Sequence, residues 1–263
     1  MGDIQTKRDI LSAQSMYVVK GNDLIQKSRY SLSLMEQKAI LFMISKIKPT
    51  DKPFTEYEFS IKDFCLACNF NTQAGTYSRY VRNLLDKLGE KVITVELDKG
   101  KTLKAHWYSS SIIDDNTDSM RFVFDKNISP YLFELKSFYT QYSIEYALPM
   151  RSKYGIRLYE FLKSVRSKSY RQRFTVEEIR ERVECFSYPA YKEFRRNVLD
   201  PALEDINSYT DLKVQYVPVK KGNKITHLEF TILAYHDYER TGERFYNRRE
   251  RLGSISEMIK DEK

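Results

Sequence analysis

The residues whose types and spacing could do chemistry are cations beside one another on a helical pattern and on a hairpin tip. Lys192 and Arg196 lie four residues apart in the segment that runs from Tyr188 through Tyr191 and Arg195 to Asn197. Further on, Lys220-Lys221-Gly222-Asn223-Lys224 joins two alternating segments. The chemistry on offer is charge-assisted hydrogen bonding to a polyanion. Arginine and lysine on a helix can read base edges in a DNA major groove, and lysines on a loop can lie on phosphates. A helix followed by a β-hairpin with a basic tip is the outline of a winged helix.

Other spacings point to less. Cys65-Leu66-Ala67-Cys68 has metal-ligand spacing, but no second pair of cysteines or histidines completes four ligands, so small core residues are the better reading. His106, His227 and His236 make no triad or metal pattern. Asp114-Asp115-Asn116-Thr117-Asp118 lacks the glycine and closing glutamate of a calcium loop and fits a hairpin turn. No GxxxxGK[ST] or GxGxxG cradle for phosphates occurs. The 20 tyrosines raise the possibility of covalent DNA nicking, yet no His-x-His is present to hold the metal such nicking uses. The expectation is a protein with no catalytic residues, no metal ligands and no cofactor.

These cations need elements to position them. Ser33-Leu34-Met35-Glu36 is a capping box that opens a helix to Lys48, with Leu34, Ile40, Leu41, Ile44 and Ile47 at helical spacing. Ser60 caps a second helix and a third spans about Tyr77 to Leu88. Alternating segments follow at Val92–Leu97, Leu103–Ile113 and Met120–Phe124, and residues 130–146 read as a short helical connector. The pattern then repeats. Phe174-Thr175-Val176-Glu177-Glu178-Ile179 matches Phe59 to Phe64 at an offset of 115, and Arg196 to Asp200 matches Arg82 to Asp86 at 114. Two matches in the same order at nearly one offset indicate an internal duplication. The expected fold class is α+β: tandem winged-helix domains, each a small helical bundle with a β-hairpin wing. The expected boundaries are a flexible arm at 1–15, a first domain at 16–136, a second at 137–236 and a flexible tail at 237–263 that carries Arg248, Arg249 and Arg251.

Stepping about 100° per residue from Phe194 places Tyr191, Val198, Leu199, Ala202 and Ile206 on one apolar arc. Lys192, Glu193, Arg196, Asp200 and Glu204 fall opposite, and Arg195 falls inside the apolar arc. By the same geometry the first domain exposes Arg79 and Arg82, with Lys99, Lys101 and Lys104 on the hairpin that follows.

Composition supports a polyanionic partner. The chain has 263 residues and a formal net charge of +8, from 44 Lys and Arg against 36 Asp and Glu. Residues 151–235 hold 17 basic and 11 acidic side chains, whereas residues 16–150 are nearly balanced at 18 and 16. Within 151–173 eight basic residues meet one acid, Glu160, which a solvated helix face of mixed sign does not usually show. Three cysteines, an odd number in a chain this long, argue against a disulfide framework. There is no signal-peptide pattern and no run approaching a membrane span, so a cytoplasmic location without membrane contact is expected.

Longer segments carry a resemblance. Tyr191-Lys-Glu-Phe-Arg-Arg-Asn-Val-Leu-Asp-Pro-Ala-Leu-Glu-Asp-Ile-Asn207, followed by Val214 to Phe230, resembles the second domain of the initiator Rep proteins of theta-replicating plasmids. Lys153 to Lys163 is similar to the helix that opens that domain. Val19 to Ile25 with Leu34 to Ile47 is similar to the first-domain entry, with Gly21 standing where serine is more common. The resemblance covers roughly residues 17–236. It implies two winged-helix domains that bind direct repeats (iterons) at a plasmid origin, promote opening of adjacent DNA and recruit the host initiator and replicative helicase. It also implies a homodimer in equilibrium with monomer, with dimers repressing the initiator's own gene. The DNA-binding residues would be Tyr188, Tyr191, Lys192, Arg195 and Arg196 on the second-domain helix. Lys220, Lys221 and Lys224 would lie on its wing, with Arg79 and Arg82 in the first domain. A winged-helix transcriptional repressor is the alternative reading, and an origin-nicking enzyme is a weaker one.

Overall fold

Helix starts are set by short polar residues at the ends of strands, and this repeats in both halves of the chain. The computed structural model describes residues 16–68, 76–166 and 169–234. The expected arm at 1–15 and the tail at 237–263 lie outside the described residues.

The first half runs β1 (Tyr17–Gly21), α1 (Asn22–Gln26), β2 (Ser28–Arg29), α2 (Leu34–Ile44), β3 (Glu56–Ser60), α3 (Ile61–Ala67), α4 (Thr76–Gly89), β4 (Val92–Glu96), β5 (Thr102–His106), β6 (Tyr108–Asp114), β7 (Ser119–Phe124) and β8 (Tyr139–Ser143). The second runs α5 (Lys153–Arg166), β9 (Arg171–Thr175), α6 (Val176–Arg182), α7 (Tyr191–Phe194), a π-helical turn (Arg195–Leu199), α8 (Asp200–Tyr209), β10 (Leu212–Lys221) and β11 (Lys224–Ala234).

The capping boxes form as the spacing predicts. The Ser33 amide donates to Glu36 Oε2 at 2.6 Å and the Glu36 amide to Ser33 Oγ at 3.3 Å. The Thr175 amide donates to Glu178 Oε2 at 2.6 Å and the Glu178 amide to Thr175 Oγ1 at 3.0 Å. Each satisfies two amides that a helix start leaves without partners. Ser60 caps α3 by accepting from the Asp63 amide at 3.3 Å. Residues 36–44 of α2 are all buried, as befits the central helix of its half.

The duplication is visible in the sheets. In the first half the order is β3-β7-β6, and in the second it is β9-β11-β10. Each time a strand leads through a capped helix to a further helical stretch and on to a hairpin whose second strand pairs back onto the first strand, with β4–β5 inserted before the hairpin in the first half. This is the tandem winged-helix α+β architecture. The first half adds a sheet of order β2-β4-β5 and a two-stranded sheet, β1-β8.

Three expectations are corrected. The continuous segment Leu103–Ile113 splits at Trp107, because β5 pairs with β4 and β6 pairs with β7. Trp107 is buried edge-on against Tyr30, with ring centroids 5.0 Å apart, and the chain changes sheets where the indole enters the core. The connector at 130–146 holds only short 3-10 turns, Ser129–Tyr131 and Ile144–Tyr146, and between them the strand β8. This strand pairs antiparallel with β1 from Tyr17↔Ser143 to Gly21↔Tyr139, and its buried residues, Thr140 and Tyr142, alternate with exposed ones, the period of a strand. β8 thus lies beyond the expected 136/137 boundary while its partner lies before it.

The third correction concerns charge. Only part of the basic run at 151–173 lies open: Arg151, Lys153, Arg171 and Arg173 are exposed, whereas Arg157 is buried and Lys163 half-buried. From Gly155 to Phe161 every residue of α5 is buried. Arg157 stacks 3.9 Å from the Tyr30 ring centroid and donates to the carbonyls of Ser28 at 3.1 Å and Arg182 at 3.0 Å. Lys163 pairs with Asp211, which also accepts from the Tyr159 hydroxyl at 2.8 Å. Glu160, 2% exposed, pairs with Lys20 of β1 at 2.7 Å and accepts from the Tyr142 hydroxyl at 2.5 Å. Arg182 donates to the Gln26 carbonyl and Gln37 to the Lys153 carbonyl. α5 is therefore the seam between the halves, and one buried apolar cluster runs through both.

Candidate nucleic-acid interface

The start of the second-domain helix is fixed by an arginine from α6. Arg180 donates to the carbonyls of Tyr188 and of Pro189, the latter at 3.2 Å, and lies 4.2 Å from the Phe194 ring centroid. Phe194 is fully buried. The loop carrying Tyr188 and the first turn carrying Tyr191 and Lys192 are thus clamped to the core. At the other end the Asn207 side chain bridges to β10, donating to the Val214 carbonyl at 2.9 Å and accepting its amide at 2.7 Å. That ties the wing to the helix. Asp205 accepts from the Arg151 and Ser152 amides at 2.8 and 2.6 Å, so the opening of α5 is held from α8 as well as by Ser152.

The helix is not regular. Between α7 and α8 the Asp200 amide donates to the Arg195 carbonyl, a closure of five residues. Pro201 follows at once. A proline ring has no amide hydrogen and clashes with the carbonyl four residues back, here that of Asn197, so the helix widens by one residue rather than break. A wider turn advances less than the regular step, and α8 is rotated back relative to α7. This corrects the wheel. Leu203, which a regular wheel places between Lys192 and Arg196, is buried. Arg195, expected inside the apolar arc, is exposed and its Nε donates to Asp200 Oδ2 at 3.0 Å. That hydrogen bond raises the pKa of the guanidinium above its ordinary value. The Tyr216 hydroxyl donates to the other Asp200 oxygen at 3.3 Å. Burial, followed by its neighbours Tyr191 and Asp200, pushes that hydroxyl up.

Lys192 and Arg196 are exposed on this helix and carry no ion pair among the described residues. Lys220, Lys221 and Lys224 are exposed at the β10–β11 tip, where Lys221 pairs with Lys224 across a two-residue turn. Gly222 occupies that turn at φ 61°, a conformation that costs glycine little. Tyr188 and Tyr191 are half-buried. The arrangement is a helix with an outward cationic face beside a cationic hairpin tip, suited to hydrogen bonding with bases and phosphates.

The first domain differs. Arg79 is exposed on α4, as expected. Arg82 is corrected, since its guanidinium is held by Asp115 and by Asp118, the latter at 2.7 Å. Both carboxylates come from the β6–β7 tip, and this hairpin, not β4–β5, is the topological equivalent of β10–β11. Lys99, Lys101 and Lys104 are exposed on the additional β4–β5 hairpin. Asp114 to Asp118 form the expected turn, with Asp114 Oδ1 accepting the Asn116 amide at 2.8 Å; that bond helps to lower the Asp114 pKa. Cys65 is buried and its thiol is pushed up to about 12 by desolvation.

Sequence reasoning missed Arg180, Asp200 as a partner and Tyr216. Pro201 inside a helical pattern was the available signal for the irregular turn.

Comparison with known proteins agrees with this architecture. Residues 17–163 match a family model described as "Initiator Replication protein, WH1", and residues 175–232 match "Initiator Rep protein, WH2". A "Replication initiation protein" from Escherichia coli is 26% identical over 228 residues, which covers 82% of this chain and 69% of that protein. The crystal structure of Pi initiator protein in complex with iteron DNA superposes with a TM-score of 0.69 at 17% identity, covering 84% of this chain and 98% of that one. At that identity the likeness is one of fold. Among the described residues no helix is long and apolar enough to cross a membrane.

Proposed function

The chain belongs to the initiator replication protein family, and on that premise we propose that it initiates plasmid replication by binding directly repeated duplex DNA at an origin. The observation that carries this reading is the exposed face of Lys192 and Arg196, which carry no ion pair among the described residues, beside the exposed lysines of the wing. In this reading Lys192, Arg195 and Arg196 enter a major groove, with Tyr188 and Tyr191 bordering them. Lys220, Lys221 and Lys224 neutralise phosphates, which gives affinity without sequence information. Arg79 offers a phosphate contact from the first domain. The action is binding rather than a covalent step: bound copies promote opening of adjacent DNA and bring the host initiator and helicase to it. Copies in excess of the repeats form dimers that repress the initiator's own gene.

Support comes from the family membership and from the charge distribution together. The test has two parts. A plasmid carrying only this gene and its flanking DNA should replicate in a suitable host and should fail with the gene interrupted. The purified chain should bind that flanking DNA, and Arg196→Ala should weaken binding by roughly 1–3 kcal/mol and relax preference at one base position. Binding without replication would leave a transcriptional repressor. Relaxed DNA attached to a tyrosine would mean a nicking enzyme.

A further inference from the structure

Arg195 and Asp200 are five residues apart. On a regular α-helix they would lie about 140° apart and could not meet. They meet because the π turn closes from the Asp200 amide to the Arg195 carbonyl, ahead of Pro201. The contact is made through Arg195 Nε at 3.0 Å. That leaves both terminal nitrogens of the guanidinium unengaged by Asp200, in the planar fork that matches O6 and N7 of guanine. The carboxylate is itself held, because its second oxygen accepts from the Tyr216 hydroxyl at 3.3 Å, and Tyr216 packs on Phe230 of the core sheet with ring centroids 5.8 Å apart. Recognition helix, irregular turn and wing strand thus converge on the aim of one exposed arginine. An exposed ion pair of this kind contributes little to stability, so its geometry calls for another account.

We propose that Arg195 and Asp200 form one base-reading unit, in which Asp200 orients the Arg195 fork onto a guanine and accepts from the exocyclic amino group of an adjacent base. This rests on the reading that the helix enters a major groove. Asp200 is then a positioning and specificity-determining residue. An aspartate that faces base edges repels acceptors and phosphates and favours the amino group of cytosine, so it narrows the choice of sequence while lowering affinity for duplex in general. Pro201 maintains the unit through the turn it enforces.

The experiment is selection from a randomised duplex library with the full chain, followed by titration of the preferred duplex and of an unrelated one. Arg195→Ala should lose on the order of ten-fold to a hundred-fold affinity for the preferred duplex and flatten one guanine position. Asp200→Ala should flatten that position and the neighbouring one, with affinity for the unrelated duplex equal or higher. The double variant should bind the preferred duplex no worse than Arg195→Ala alone. Asp200→Asn keeps the side-chain shape and guards against a folding artefact, and Pro201→Ala should reproduce the Asp200→Ala profile. An unchanged base profile in Asp200→Ala and Asp200→Asn, or single losses that multiply in the double variant, would overturn the proposal while leaving the initiator reading intact. A wild-type chain that selects no sequence would overturn both.

Discussion

In the first domain the wing tip that follows the helix pair is Asp114-Asp115-Asn116-Thr117-Asp118; in the second it is Lys220-Lys221-Gly222-Asn223-Lys224. The sheets behind them have the same order, and capped helices precede both. The acidic tip reaches back to α4 and engages Arg82 through two carboxylates. The basic tip cannot do this, and Lys192 and Arg196 on the second helix stay unpaired among the described residues. One backbone arrangement therefore yields two electrostatic outcomes, decided by the sign of a five-residue turn. The fold alone would assign both copies the same task; the side chains separate them.

The comparison also depends on the halves being joined rigidly, and the largest predicted effect tests that. Glu160→Ala leaves Lys20 buried without its partner and should destabilise the chain by roughly 3–5 kcal/mol, read by urea unfolding. A loss below ~1 kcal/mol would show that the seam does not depend on this pair. Next in size is the contrast between equivalent arginines. Arg196→Ala should weaken binding to the preferred duplex by roughly 1–3 kcal/mol, while Arg82→Ala should stay within about 0.5 kcal/mol of wild type in the same titration, as surface changes away from a contact do. Equal losses would break the distinction between the domains.

Lys221→Ala should weaken binding to all duplexes alike and reduce the slope of log affinity against log salt by about 1. The smallest effect is expected at the acidic tip. Asp115→Ala removes one largely exposed partner of Arg82 and should cost no more than about 1 kcal/mol in thermal unfolding, with a salt slope that is unchanged or steeper. A shallower slope would mean that the tip itself meets DNA.

Much of this was legible in the residues. Ser33-x-x-Glu36 and Thr175-x-x-Glu178 announced helix starts because their hydrogen bonds are local, closing within four residues. The repeat of Phe59–Phe64 in Phe174–Ile179 announced two copies, since equal sequence favours equal local structure. The hairpin tip at Lys220–Lys224 was legible because glycine at a two-residue turn and lysines that shun burial leave few alternatives. Residues 139–143 were misread because the pairing that makes β8 a strand comes from β1, more than a hundred residues earlier.

What the sequence determined by itself was therefore the capped helices, the duplication and the sign of each tip. Tertiary structure alone decided which charges remain available. Arg157 and Lys163 look like binding residues in a list of cations, yet one stacks on Tyr30 and the other pairs with Asp211. Arg82 looks like Arg196 on a helical wheel, yet Asp115 and Asp118 engage it. Arg195 looked inward until one wider turn before Pro201 rotated the core stripe away from it. Secondary structure follows from interactions that close within a few residues, whereas the free or engaged state of a charge depends on which distant carboxylate, carbonyl or ring the fold brings within a few ångströms.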